Sequence, residues 1–373
     1  MSKTKAKPRL RPRRWLKRTV GWAILLILVM ATWVYVGRYG STPAFVDANG
    51  RVIAGSVATI ERLRLGGVEQ SVVIRGRNGN APIMIWLHGG PGQDETGLWR
   101  HYNSVLEDHF VLVYWVQRGT GRSYSDDIPA NTMRISQFVA DLDQLIGVLK
   151  SRFGKRQVTI VGHSWGTSFG VAYTQAHPEN LAAYVGVGQV VNAAEGEKRS
   201  YQFTLDEARR IRNAEAIQEL ERIGPPPYGM DKILRQRAWL NAFGGAWHRP
   251  TTMPELLWTS FKASEMTIYD GIKFLPGQNF SQNTLAGENA KVDWLNAATR
   301  FQMPVFILTG RFDHNTDANL QHEYFEKIEA PSKQFRWFEK SAHSPPFEEP
   351  EAFNAYLIKE VLPVVMARQQ NGG

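Results

Sequence analysis

The chain has 373 residues, 43% hydrophobic and 21% charged, a composition that fits a folded body with a large core and excludes wholesale disorder. It has no cysteine, which rules out disulfides, thiolate metal sites, iron–sulfur clusters and a cysteine nucleophile. The formal charge of +9 suggests nucleic acid only until its placement is read. Residues 1–18, MSKTKAKPRLRPRRWLKR, hold nine Lys or Arg and no acid, and the rest of the chain balances 35 basic against 35 acidic residues. A neutral body has no overall field for polyanions, so no nucleic-acid partner is expected.

The tail precedes TVGWAILLILVMATWVYVG, an uncharged run from Thr19 to Gly37. Its length lies within the range of a membrane-spanning helix and exceeds the apolar core of a cleaved signal peptide. Trp22, Trp33 and Tyr35 suit the membrane interfaces, and the one-sided cations predict a cytoplasmic N-terminus. The expected organisation is a basic cytoplasmic tail at 1–18, a single-pass signal anchor at 19–37, a linker at 38–55 and an extracytoplasmic catalytic body at 56–373. The alternatives are secretion after signal cleavage and a buried core helix.

Beyond the linker, short runs rich in Val, Ile and aromatic residues read as strands: EQSVVIRG, PIMIWLHGG, FVLVYWVQRG, VTIVGHS, AYVGVGQ, PVFILTG and KQFRWFE. Between the third and fourth, Ile135, Phe138, Val139, Leu142, Leu145, Ile146 and Leu149 recur at helical spacing. Such alternation predicts an α/β fold with a mostly parallel sheet covered by helices on both faces. From about residue 190 to 290 helical stretches replace strands, punctuated by GPPPYG and FGGAWHRP. We read them as a helical insertion over the C-terminal strand ends, where open α/β sheets bind ligands and where a lid would sit.

Within VTIVGHSWGTSFG, Gly162-His163-Ser164-Trp165-Gly166 fits a sharp strand-to-helix turn. Such a turn exposes its serine, and the flanking glycines let backbone approach closely. Ser164 needs a base, and the order Ser, acid, His is expected. Five histidines follow it: His177, His248, His314, His322 and His343. His343, in EKSAHSPPFEEP, falls in the loop after the last strand, where the base must stand. His177 reads as a helix C-terminal residue, and His163 reads as structural, pointing away from the serine. Asp313, three residues past Gly310, is the candidate acid, which would fix the imidazole tautomer. Its bland alternative is a helix cap, and Asp317 is a weaker substitute already in the next helix. The glycine-rich WLHGGPG loop can offer an oxyanion N–H from Gly90, with a second from Trp165. A phosphate-cradling role for that loop lacks the accompanying Lys and hydroxyl. QRGTGRS (Gln117–Ser123) reads as a loop lining the same end of the sheet.

Together HGGPG, YWVQRGTGRS, GHSWG, GRFDHNT and SAHSPPFEEP make the body resemble the α/β-hydrolase superfamily, and more narrowly the proline iminopeptidase-like serine peptidases. By that resemblance Ser164, Asp313 and His343 correspond to the catalytic triad, and the insertion to a helical cap. The family's usual Asp before Gln-Arg-Gly is Val116 here, and its usual Gly before the catalytic His is Ala342. The first change alters polarity beside the site and raises the prospect of a looser loop. Glu195 and Glu197 are the nearest candidates for the acids that recognise a substrate amine, although both also read as solvated charges at a helix start.

The implied activity is acyl transfer to water on a small-molecule or short-peptide substrate, without cofactor or metal. Removal of an N-terminal proline or small residue leads. Hydrolysis of hydrophobic esters or amides follows, with a silent binding protein on the same fold as the remaining alternative. Dehalogenase and epoxide hydrolase chemistry would need a carboxylate where Ser164 stands.

Overall fold

The computed structural model describes residues 12–37, 40–249 and 251–371; residues 1–11 of the basic tail expected at 1–18 lie outside them. Eight strands form one sheet: β1 (Val57–Leu65), β2 (Val68–Gly76), β3 (Ile83–Leu87), β4 (Val111–Val116), β5 (Val158–His163), β6 (Leu181–Val187), β7 (Val305–Gly310) and β8 (Lys333–Phe338). Their order is β1-β2-β4-β3-β5-β6-β7-β8. β1 and β2 pair antiparallel, β2 pairs antiparallel with β4, and every other neighbour is parallel. The chain runs from β3 to β4 on one side and then crosses to β5 on the other. The loops after β3 and β5 thus flank the switch point, where such sheets open a crevice.

The helices are α1 (Pro12–Val36), α2 (Thr96–Tyr102), α3 (Ile135–Phe153) and α4 (Trp165–Ala176), then the insertion's α5 (Ala193–Arg210), α6 (Ala214–Ile223), α7 (Met230–Ala242), α8 (Met253–Ser260) and α9 (Ile268–Asn289). Next come α10 (Trp294–Ala297) and α11 (Ala318–Lys327), and finally α12 (Pro345–Glu348), α13 (Pro350–Tyr356) and α14 (Leu362–Asn371). Alternation along the strands divides the core. Ile83, Ile85 and Leu87 pack with Phe138, Leu142 and Phe169 of α3 and α4. Met84 and Trp86 pack on the opposite face with Trp99, Phe353 and Leu357. The apolar stripe read for α3 is the one buried, and Gly154 ends that helix at a left-handed φ of 61°.

β1 is the strand that the sequence reading missed. Glu61, Arg62 and Arg64 break its apolar pattern because it is a half-exposed edge, where charges discourage pairing with another chain. Gly66 and Gly67, at φ 53° and 81°, make the tight turn into β2. The segment read as a linker is docked on the body. Phe45 is buried, Ser41 donates to the Ser264 carbonyl at 3.2 Å, and Thr42 donates to Glu265 at 2.6 Å.

Helix α1 begins inside the basic segment. Among the described residues it is the one helix long and apolar enough to cross a membrane, with mean hydropathy 2.1 over Lys17–Val36 and none of that window buried.

The inserted helices α5–α9 occupy Ala193–Asn289. The insertion's two ends meet where Ala193 donates to Val292 at 2.9 Å and Trp294 donates to Val191 at 2.7 Å. A long excursion can therefore leave and rejoin the sheet without disturbing β6 or β7. Its α8–α9 half is tied down by a buried ion pair, Arg122–Asp270 at 2.7 Å, and a part-buried one, Arg100–Glu265 at 3.0 Å.

Candidate active site

The turn after β5 has the geometry its glycines imply. Ser164 sits at φ 52°, ψ −118°, a conformation that side chains rarely adopt and that marks a functional turn when held in place. Its N–H donates to the Val187 carbonyl at 2.9 Å. A side chain at Gly166 would place its Cβ 1.9 Å from the Leu87 oxygen, because α4 starts hard against β3. Gly166→Ala is therefore expected to destabilise the fold by about 3 kcal/mol or more, the upper end for overpacking; a urea-unfolding midpoint within error of wild type would refute this packing account.

Asp313 is fully buried and saturated with donors. Its Oδ1 accepts from the N–H of Asn315 at 2.9 Å and of Thr316 at 3.0 Å. Its Oδ2 accepts from Thr316 Oγ1 at 2.8 Å and Gln321 Nε2 at 2.9 Å, and lies 3.0 Å from His343 Nδ1. Burial alone would raise this carboxyl, but the His343 charge and these hydrogen bonds outweigh it and hold the acid well below the usual carboxylate range. The helix-cap alternative for Asp313 falls to Asp317, which is the N-cap of α11 and accepts from Leu320 N–H at 2.8 Å. Beyond its Nδ1 contact with Asp313, His343 keeps Nε2 buried without a hydrogen-bond partner among the described residues.

His343 and Ser164 line one cavity of about 450 Å³ with Gly90, Trp165, Asp94 and Glu197. Trp165 is the first residue of α4, so its N–H has no partner one turn back in the helix. Gly90 holds φ 116°, in the region that favours glycine. The remaining histidines serve elsewhere. His177 is the C-cap of α4, His314 stacks on Phe203 and His248 on Phe312, and His322 lies in α11 near Trp337.

Glu195 is not among the residues lining the cavity; it pairs with Arg199 at 2.9 Å and Lys198 at 3.7 Å. Glu197 does line it, but pairs with Arg237. The QRGTGRS loop sits at the same end of the sheet without lining the cavity, since Gly119 is pressed against Phe280 and Ser281 of α9. Val116 does not loosen that loop. Gln117 accepts from Trp165 Nε1 at 3.2 Å and donates to the His88 carbonyl at 3.1 Å, and Ser123 donates to the Val116 carbonyl at 2.7 Å. Ala342 is tolerated because its backbone does not occupy the positive-φ region.

Two carboxylates that the sequence reading missed hold the His343 loop. Glu348 Oε1 accepts from the N–H groups on either side of His343, Ala342 at 3.0 Å and Ser344 at 3.1 Å. Its Oε2 accepts from His248 N–H at 2.7 Å. Glu95 Oε1 lies 2.8 Å from His163 Nδ1, while His163 Nε2 lies 3.1 Å from the His343 carbonyl. Both ring nitrogens of His163 thus face acceptors, which favours the doubly protonated imidazolium. Burial works against that charge, yet Glu95 and the His343 carbonyl raise the pKa overall. Glu348 stood in a motif already singled out, SPPFEEP, and Glu95 lay three residues past another, HGGPG, but nothing in their spacing said which way they point.

Glu348 gives a pH prediction. Desolvation pushes its pKa from 4.5 up to about 7, against the pull of the three N–H donors and with help from Asp313. The folded protein then holds this proton more tightly than the unfolded chain. The resulting stability is complete below pH 4.5 and lost as pH rises through about 7, an effect of about 3 kcal/mol. Asp313, with its depressed value, has the opposite sign and acts only in stronger acid. Glu348→Gln is expected to flatten the fall of unfolding free energy between those two pH values, measured by urea titration; an unchanged slope would show that Glu348 does not titrate there.

Residues 84–356 match the model of the alpha/beta hydrolase family. The chain belongs to that family. A probable aminopeptidase, YbaC, of Bacillus subtilis (strain 168) is 33% identical over 302 residues, covering 80% of this chain and 94% of that protein. A proline iminopeptidase of Heyndrickxia coagulans is 28% identical over 287 residues, covering 75% and 90%. In fold, the chain is similar to the crystal structure of a proline iminopeptidase from Mycobacterium smegmatis, with TM-score 0.61, 16% identity, and 84% and 100% of the two chains covered. The α/β-hydrolase fold and hydrolase class expected from the motifs are thereby established.

Proposed function

We propose that this enzyme is a membrane-anchored serine hydrolase working through an acyl-enzyme on Ser164, and that its substrates are peptides with a free N-terminus. The observation that carries the mechanism is the His343 Nδ1 to Asp313 Oδ2 contact of 3.0 Å with Nε2 left unpartnered. The Ser164 hydroxyl attacks the scissile carbonyl while His343 Nε2 takes its proton. The N–H groups of Gly90 and Trp165 stabilise the oxyanion, and His343 returns the proton to the leaving amine. Water then repeats the sequence to release the acid. Helix α1 is the signal anchor in this reading, with its basic end in the cytoplasm.

The aminopeptidase reading draws its support from the two relatives bearing that activity in their names. For the substrate ammonium, Glu195 and Glu197 are already answered by arginines. Asp94 lines the cavity with Oδ2 unpartnered, and we assign it the contact with the amine. A second reading, an esterase for hydrophobic acyl groups, is favoured by the apolar wall of Trp247, Leu256, Leu257, Phe274 and Phe347. Kinetics on prolyl anilide, its N-acetylated analogue and a short acyl ester separate the two. The peptidase reading expects kcat/KM for the free-amine anilide to exceed that for the acetylated one; ester turnover with no anilide turnover would overturn it.

A further inference from the structure

Of the large apolar residues that the cap leaves exposed, Trp258, Phe261, Ile268, Ile272 and Leu275 lie together, whereas Ile211, Leu234 and Met253 lie apart from them. On α9, Ile268, Ile272 and Leu275 follow the spacing of one helix face and are 51%, 57% and 62% exposed. The opposite side of the helix, with Asp270, Gly277 and Ser281, is buried on the body. At the end of α8 and just beyond it, Trp258 is 72% and Phe261 38% exposed, and Phe261 lies against Gly271 of α9. Lys262 is exposed between the two helices. A stripe of aliphatic side chains bordered by a tryptophan and a lysine is the composition of a surface that lies in a lipid interface.

The chain itself brings this surface to lipid. Ser41 is five positions on from Val36, where α1 ends, a step that spans at most about 18 Å whatever its path. Ser41 is hydrogen-bonded to Ser264 and Thr42 to Glu265, and both partners lie in the segment joining α8 to α9. Glu265 is fully buried and gripped by Arg100, so the attachment is rigid. With α1 in the bilayer, that joint cannot stand far from its surface, and the exposed residues flank the joint on both sides.

We propose that the outer face of α8 and α9 is seated on the lipid surface from which α1 emerges. The proposal rests on α1 as the membrane segment and is independent of which acyl substrate the enzyme cleaves. The inner faces of the same helices, through Leu256, Leu257, Phe274 and Gln278, wall the Ser164 cavity. The seated surface and the reaction chamber are therefore two sides of one thin layer.

The absence of cysteine makes a direct test possible on the full-length chain. Leu275→Cys carries an environment-sensitive fluorophore in vesicles of phosphatidylcholine and phosphatidylglycerol containing a lipid-borne doxyl quencher. The control is Arg300→Cys, whose parent side chain is 83% exposed beyond the cap and just before β7. The expected result is co-flotation with the vesicles and quenching of the Leu275 label severalfold stronger than that of the control. Equal quenching at both positions overturns the proposal. So does shielding of the Leu275 label from water without quenching, which would mean that a second copy or another protein covers the face. Failure to float overturns it together with the membrane reading of α1, whereas flotation with equal quenching spares that reading.

Discussion

Ser164→Ala is expected to lower kcat on any substrate the enzyme turns over by a factor on the order of 10⁴ to 10⁶, with the fold intact. Alanine keeps the Cβ and therefore the same backbone strain at φ 52°, and the stabilising N–H bond to Val187 is a main-chain contact. Only the Oγ is removed, and among the described residues no hydrogen bond engages that hydroxyl side chain that would leave a buried partner orphaned. Unfolding free energy should move little, which separates a chemical loss from a structural one. Steady-state kinetics beside urea denaturation checks both halves: a variant retaining a tenth of wild-type activity would remove Ser164 from the mechanism, since such loss is far smaller than a missing nucleophile causes.

Asp313→Asn should cost about 10⁴ in kcat, through the tautomer of His343 rather than through position. The Oδ1 side of Asp313 is held by two backbone N–H groups, so the amide oxygen takes that side and the NH₂ group faces His343. The imidazole then accepts at Nδ1 and carries its proton on Nε2, the atom that must take the Ser164 proton. Gln321 Nε2 also points at that position, so the amide meets a second donor and some stability is lost as well. The readout specific to the tautomer is the pH profile: activity should recover in alkali, where an alkoxide no longer needs the base. A uniform loss at every pH would instead indicate a displaced loop.

The triad candidates were legible because each sits at the end of a strand whose pattern is strong: VTIV before Ser164, VFILTG before Asp313 and the KQFRWF strand before His343. Runs of β-branched and aromatic residues placed those strands, and chain order along a parallel sheet then placed the loops. What the sequence did not disclose depends on packing between distant segments. Glu95 reaches His163 across 68 positions, and neither residue has a spacing signature. The acids chosen for amine recognition failed to stay unpaired for the same reason. Glu195 and Glu197 looked available at the start of α5, but Arg199 lies one turn along the same helix and Arg237 on the facing α7. Strand β1 was lost to its own charges, which an edge requires and a periodicity reading counts against it. The docked course of residues 40–45 was hidden because small and polar residues carry no period, and its partners, Ser264 and Glu265, lie over 200 positions away.

The central claim is that an acyl-enzyme forms on Ser164, and covalent labelling tests it most directly. The full-length protein is treated with a fluorophosphonate, digested and sequenced by tandem mass spectrometry. The account predicts a single adduct on Ser164, absent when His343 is replaced by Ala because the serine is then no longer activated. An unlabelled wild-type protein that still hydrolyses its substrate, or an adduct on any other residue, would contradict it.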